Sequence, residues 1–167
     1  MRTITILLLT LSIFISCKKD SPDPSANILV LNSSIVNNAS NGFSCSKAEI
    51  VPSNSNPTPD FHVLVERDIM GNATGVFLSN SNLEKRFYLK GTFPDLASAK
   101  NYFNSCTLSR DTVFQRLAVS VKPFQIWIIK TNENKFGKIL IHEATYKDLN
   151  NSGDLFAEVK FQWLKFN

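Results

Sequence analysis

Apolar and polar residues alternate with a period of two along most of the chain, which is the pattern of β-strands that bury one face. Residues 60–67 and residues 155–166 show the alternation most clearly. Residues 124–130, FQIWIIK, are instead apolar on both faces, as expected of a central strand that is covered on two sides. The residues predicted to point inward from the two alternating segments are Phe61, Val63, Val65, Leu155, Ala157, Val159, Phe161 and Trp163.

Short polar segments separate the predicted strands. Residues 75–79 and 85–90 flank the turn-rich stretch 79–82, so we expect them to form a hairpin. Residues 124–130, 138–146 and 155–166 follow one another across short polar loops, which predicts a three-stranded antiparallel meander. A further strand is expected at 48–51, and residues 52–59, PSNSNPTP, are expected to form a loop.

One segment changes to helical spacing. After Pro94, apolar side chains recur at Leu96, Ala99, Phe103 and Cys106, and Asp95 stands where a helix N-cap is favoured. Residues 112–121 fit either a strand or a short helix, and their valine content favours a strand. The sequence therefore predicts a mainly β (α+β) fold, an antiparallel two-layer sheet or sandwich with one amphipathic helix around residues 95–106.

The N-terminus has the features of a secretory signal. Met1-Arg2 precedes an apolar run over residues 4–15, which is too short for a mature membrane span, and Ser16-Cys17 follows. Residues 14–17, FISC, resemble a lipobox, although Phe14 stands where that motif usually has Leu. The resemblance implies that the Cys17 thiol is diacylated and that the chain is cut before it. We therefore expect a signal peptide at 1–16, a lipidated tether at 17–26 and one β-rich domain at 27–167.

The opening Cys-Lys-Lys-Asp of the expected mature chain resembles the tethers of Bacteroidetes lipoproteins. That resemblance implies a lipid-anchored outer-membrane protein, on either the periplasmic or the cell-surface face. Residues 125–131 and 135–139 also resemble a C-terminal hairpin of the HmuY-type haem-binding lipoproteins, which have an all-β fold. This likeness covers about the last 45 residues. No residue here matches that family's haem-ligating histidines.

Charge excludes one class of partner. Without residues 1–16 the chain keeps 17 basic and 14 acidic side chains, with no basic run longer than two residues. Nucleic-acid binding needs a concentrated stripe of Lys and Arg. We therefore expect no nucleic-acid partner. The expected partners are the membrane, through the lipid, and an outer-membrane protein.

Catalytic and metal-binding patterns are weak. His62 and His142 are the only histidines, and each falls on the polar face of a predicted strand, so they are weak metal candidates. His142-Glu143 lacks the second histidine of a zinc protease, because position 146 is Tyr146. No nucleophile elbow or phosphate loop is present. Paired carboxylates, such as Glu66 and Asp68, fit solvated strand-edge charges, and Trp127 and Trp163 fit the core.

The cysteines give the best-supported site prediction. Once Cys17 carries lipid, Cys45 and Cys106 remain in an oxidising compartment, where pairing is the default. We expect a disulfide between them, with two unrelated thiols as the alternative. The sequence favours a non-enzymatic, membrane-anchored binding or interaction module without a cofactor. The alternative is a lipoprotein that scavenges haem or metal.

Overall fold

The computed structural model describes residues 28–36, 38–149 and 154–166. Within those ranges the chain forms ten β-strands and one α-helix. In chain order they are β1 (Ile28–Asn32), β2 (Ile35–Val36), β3 (Ala39–Ser44), β4 (Glu49–Pro52), β5 (His62–Arg67), β6 (Ala73–Ser79), β7 (Phe87–Thr92), α1 (Leu96–Ser105), β8 (Gln125–Lys130), β9 (Phe136–Leu149) and β10 (Asp154–Lys165).

A five-stranded antiparallel sheet in the order β1-β10-β9-β8-β7 organises the molecule. The predicted meander of the last three strands is confirmed, because β8, β9 and β10 are neighbours in both sequence and space. Two smaller sheets, β2-β3-β4 and β5-β6, pack on the same face of this large sheet. The fold is mainly β with one helix, as the sequence predicts.

The face toward the small sheets buries the larger core, which we call the hairpin-side core. Trp127 and Ile129 of β8 enter it together with Ile139 and Ile141 of β9. Phe43 packs edge-on against Phe161, with ring centroids 5.2 Å apart. The inward-facing residues predicted from the alternation that are buried here are Phe61, Val63, Ala157, Val159, Phe161 and Trp163.

Helix α1 covers the opposite face of the sheet. The Asp95 side chain accepts a hydrogen bond from the Ser98 backbone amide at 2.8 Å, which confirms the predicted N-cap. Ala99 and Phe103 are buried with Ile126 and Leu140 of the sheet, in what we call the helix-side core. This second cover explains why β8 is apolar on both faces.

The predicted hairpin between residues 75–79 and 85–90 is wrong. β6 pairs with β5 instead, and β7 pairs with β8. The Asn80 side chain explains the difference, since its Oδ1 accepts from the backbone amides of Asn82 at 3.2 Å and Glu84 at 3.0 Å. These bonds shape a wide turn that carries the chain from one layer to the other rather than back along β6.

Residues 112–121 do not form the expected strand. They cross between two strand edges and make one isolated bridge to each, Gln115 with Phe87 of β7 and Ala118 with Leu78 of β6. A segment that meets two different edges forms no continuous ladder. Ala118 and Val121 are the residues of this segment that are buried in the hairpin-side core.

Strand direction defines two ends of the molecule. Ile28 of β1 lies opposite Gln162 of β10, near the point where β10 ends. We call this the basal end, because the N-terminal segment enters the described fold here. The β9–β10 hairpin marks the opposite, apical end, where Leu149 pairs with Asp154. The eight residue steps from Asp154 to Gln162 span roughly 26 Å at the usual rise per strand residue.

Candidate functional site

The two histidines lie on opposite sides of the large sheet. His62 is buried rather than exposed as predicted, with Nδ1 3.1 Å from the Asn41 carbonyl oxygen and Nε2 3.2 Å from the Ser81 hydroxyl. Both of its ring nitrogens therefore join β5 to neighbouring segments. The sequence pattern misplaces His62 because a buried, hydrogen-bonded histidine and an exposed one give the same alternation.

His142 is half-buried on the helix side of β9. Burial is the main cause that lowers the pKa of its imidazole below the ordinary value, and the nearby Lys100 and Lys160 charges lower it further. The sheet prevents His142 from sharing a metal or haem with His62. Within residues 28–36, 38–149 and 154–166, no three His, Cys, Asp or Glu side chains gather into a group that could hold a metal ion.

The predicted Cys45–Cys106 disulfide is wrong, since both residues are free cysteines. Cys106 points at the sheet from the end of α1, as its helical spacing suggested, and lies in the helix-side core. Cys45 packs in the hairpin-side core, on the other face of the same sheet. The spacing along α1 gave the direction of Cys106, but nothing in the sequence showed which face Cys45 would cover. Cys17 and the rest of residues 1–27 lie outside the described residues.

A small cavity opens beside Cys45 at the basal end, and we call it the basal pocket. Its volume is about 270 Å³. Trp163 and Phe136 line its apolar part, and the charged side chains of Glu133, Lys135 and Lys165 line the rest. The ammonium of Lys135 lies 2.6 Å from a Glu133 carboxylate oxygen. Hydrogen bonding to Lys135, followed by the Lys135 charge itself, lowers the pKa of Glu133.

Cys45 is a poor nucleophile in this setting. Burial is the main cause that raises the pKa of its thiol, and the neighbouring Asp60 carboxylate raises it further. No histidine or helix N-terminus is part of the pocket lining to stabilise a thiolate. The raised pKa of Cys45 therefore disfavours thiolate chemistry in this pocket.

A buried polar cluster, which we call the basal clip, forms the support of this pocket. The carboxylate of Asp60 accepts hydrogen bonds from the backbone amides of Cys45 at 2.7 Å and Asn132 at 2.6 Å. The Asn132 side chain accepts from the Arg86 guanidinium and donates to the Thr58 carbonyl oxygen at 2.9 Å. One buried carboxylate thus holds together the turn after β3, the loop before β5 and the turn between β8 and β9.

The apical end carries a second candidate, the loop of residues 68–72 between β5 and β6, which we call the apical loop. Its two large apolar side chains face solvent: Ile69 is fully exposed and Met70 is 82% exposed. The loop is nevertheless well organised. The carboxylate of Asp68 accepts from the backbone amides of Met70 and Asn72, each at 2.9 Å, and from the Asn72 side-chain amide at 2.9 Å. These bonds lower the pKa of Asp68, with the Asn72 side chain as the largest cause.

Further partly apolar surface adjoins the apical loop. A depression of about 450 Å³ lies between Met70 and the β9–β10 hairpin, with Tyr146 and Leu155 in its lining. A second depression of about 270 Å³ shares Arg67 and Leu155 with the first and continues to Leu64 and Phe77. We refer to the apical loop with these two depressions as the apical surface. Tyr146 and Leu64 are both exposed.

Sequence reasoning missed the apical surface, although a signal was present. Residues 68–72, DIMGN, contain the Asp, Gly and Asn of a tight turn, so the two apolar residues between them had to be exposed. Two other sequence candidates have structural roles. Glu66 accepts from the Ser120 backbone amide at 2.9 Å, and the Trp127 indole donates to the Gln125 side chain at 3.0 Å.

Comparisons with protein-family models, with curated proteins and with solved structures found no match. In the part of the chain that the structure describes, no helix is long and apolar enough to cross a membrane. The candidate functional regions therefore rest on geometry and chemistry alone. They are the basal pocket and the apical surface.

Proposed function

We propose that this protein is a lipid-anchored, non-enzymatic binding module whose apical surface docks into an apolar cleft of a partner protein. The observation that carries the proposal is the apical loop, where Ile69 and Met70 are exposed on a hydrogen-bonded turn. An ordered loop that keeps two large apolar side chains in water is typical of an interaction site. Burying one such side chain contributes about 1.5–3 kcal/mol.

The composition of the apical surface supports a protein as the occupant. Methionine, tyrosine and arginine are enriched at the centres of protein interfaces, and Met70, Tyr146 and Arg67 line one depression together. The loop is also preorganised by Asp68, which reduces the entropy that binding would otherwise cost.

The position of the anchor supports a partner beyond the membrane surface. The described fold begins at the basal end, with Ile28 opposite Gln162, and the proposed lipid on Cys17 precedes it by a short tether. The apical loop lies at the far end, beside Tyr146 of the β9–β10 hairpin. An anchored molecule standing on its basal end would direct the loop away from the lipid. This placement favours a protein over the bilayer as the occupant.

Photo-crosslinking in intact cells tests the proposal. A photoreactive amino acid replaces Met70 in the full-length chain, and a second variant carries it at Val113, which is 75% exposed and precedes the Phe114 that stacks on Phe136 at the basal end. We expect one discrete protein adduct from position 70 that Ile69→Asp abolishes, and no such adduct from position 113. From position 70, adducts with lipid or with a second copy of the chain would contradict the proposed occupant, as would equal protein adducts at both positions.

The anchor is tested separately. Cys17→Ser should move the protein from the membrane fraction into the soluble fraction, because two acyl chains give lasting attachment that the folded domain does not supply. Unchanged partitioning into the detergent phase would contradict lipidation at Cys17.

A further inference from the structure

A second binding site follows from the charges of the basal pocket. We propose that the basal pocket binds the phosphate of an anionic lipid headgroup, with Lys135 and Lys165 as its cationic ligands, and so seats the domain upright on the membrane. The inference rests on the lipid anchor of the proposed function. It assigns a role to a site that the apical surface does not use.

The size of the pocket suits a headgroup phosphate. Its volume of about 270 Å³ leaves room for several water molecules, and so for a phosphate with its ester oxygens. The indole of Trp163 and the ring of Phe136 offer apolar surface beside the charged groups. Tryptophan and lysine together are typical of protein surfaces at the membrane interface.

The charges of the pocket favour a monoanion. Lys135 is paired with Glu133 at 2.6 Å. The charge of Lys165 also lowers the pKa of Glu133, although among the described residues no carboxylate lies within ion-pair distance of Lys165. Two ammonium groups and one carboxylate leave the pocket with a net charge of one positive unit. A phosphodiester headgroup carries one negative charge and neutralises it.

Hydroxyl groups complete the set of donors. The Thr131 hydroxyl oxygen accepts from the Lys135 backbone amide at 3.1 Å, which leaves its own O–H free to donate. Ser46 also lines the pocket, and its hydroxyl lies 3.2 Å from the Ser44 hydroxyl. The basal clip fixes both sides of this wall, because Asp60 binds the amides of Cys45 and Asn132, the neighbours of these two residues in sequence.

The route of the chain places the pocket at the membrane. Ile28 lies opposite Gln162, the residue before Trp163, so the N-terminal segment enters the fold beside the pocket. A stretch of ten residues spans at most about 33–36 Å. The proposed lipid on Cys17 therefore holds the pocket within reach of headgroup phosphates.

Vesicle sedimentation tests the site on the full mature chain carrying Cys17→Ser, so that no acyl chain contributes to binding. Vesicles of phosphatidylcholine alone are compared with vesicles that also contain phosphatidylglycerol. We expect binding only to the latter. Lys135→Gln and Lys165→Gln should each weaken it by about fivefold, the effect of one lysine near an anionic surface. The exposed Lys122, outside the pocket, supplies the matched control Lys122→Gln, which should leave binding unchanged.

A variant with the opposite effect on vesicle binding provides a further test. Glu133→Gln removes the pocket's one carboxylate and should tighten binding by a similar factor, which a purely structural role of these residues would not produce. Equal binding to both kinds of vesicle, or an equal loss with Lys122→Gln, would overturn the proposal. If millimolar inorganic phosphate fully abolished vesicle binding, the pocket would be a site for free phosphate and not for a lipid headgroup. Loss of vesicle binding in Ile69→Asp would instead show an apical loop that inserts into lipid, and so contradict the proposed function.

Discussion

Replacing Asp60 by alanine tests the basal clip that supports the pocket. The Asp60 side chain is buried and accepts hydrogen bonds from two backbone amides, of Cys45 at 2.7 Å and of Asn132 at 2.6 Å. In Asp60→Ala the Cys45 amide loses its partner in a buried bond and the Asn132 amide loses it in a part-buried one. A buried donor left without an acceptor costs about 1–3 kcal/mol. Because water replaces part of the loss at Asn132, we expect the free energy of unfolding to fall by about 2–4 kcal/mol.

Urea denaturation measures this loss. With a slope of about 2 kcal/mol per molar urea, a loss of about 4 kcal/mol moves the midpoint down by roughly 2 M. Asp60→Asn keeps one carbonyl oxygen in the same place, so it should retain one of the two bonds and lose about half as much. Asp111 is exposed and its side chain has no hydrogen bond among the described contacts, so Asp111→Ala supplies the control and should leave the midpoint unchanged. A midpoint for Asp60→Ala equal to that of the control would refute the reasoning.

Three further predictions follow from other parts of the fold. Gly42→Ala should lower the free energy of unfolding by about 1–3 kcal/mol in urea denaturation, because its Cβ would come within 2.4 Å of the Pro59 side chain; a neutral result would contradict the close approach. Because the pKa of His142 is lowered in the folded state, the unfolded chain binds a proton at His142 at a higher pH, and stability should fall as pH drops below the ordinary value of 6.5. Between pH 6.5 and pH 4.5, where carboxyl groups begin to titrate, His142→Gln should make stability depend less on pH. An unchanged pH dependence in His142→Gln would contradict this prediction. In Cys17→Ser protein made in an oxidising compartment, Cys45 and Cys106 should both be alkylated once the protein is denatured without reductant. In the folded protein, both should be alkylated only slowly, because both are buried. A disulfide in the denatured, unreduced chain would contradict the structure.

The parts of the fold that were predicted correctly share one property: their pattern is strong over many residues. β8, β9 and β10 carry long, regular runs of apolar side chains, and α1 follows a proline and a capping Asp95. Neighbouring strands joined by short loops then leave few topologies. The inward-facing residues could be named from these elements, and the structure buries most of them.

Elements whose sequence patterns are weak were not predicted. β2 and β3 come from an Asn- and Ser-rich stretch whose strand pairing depends on tertiary contacts, such as the bridge between Phe43 and Phe61. The 79–84 turn resembles a hairpin in sequence because composition marks a turn but not its width, which the side chain of Asn80 decides. Long-range polar contacts are equally invisible, and Asp60 is 72 residues from the Asn132 amide that it binds.

The candidate sites were harder to predict than the fold for a related reason. The sequence candidates Cys45, Cys106, His62 and His142 are reactive residue types, but the sheet separates the two cysteines from each other and the two histidines from each other. The apical surface consists of ordinary residues, and its signal is exposure. The polar residues of a tight turn predict that the apolar residues between them are exposed, and on that basis Ile69 and Met70 could have been recognised from the sequence.

The central claim, that the apical loop is the partner-binding surface, is tested most directly by an affinity ratio. The partner recovered from the position-70 adduct is purified and titrated with the wild-type chain, with Ile69→Asp and with the matched exposed variant Val113→Asp. Burial of one isoleucine is worth about 1.5–3 kcal/mol, so Ile69→Asp should raise the dissociation constant by roughly tenfold to a hundredfold or more. Val113→Asp should leave it unchanged. Equal dissociation constants for the wild type and Ile69→Asp would contradict the account, as would an equal loss in both variants.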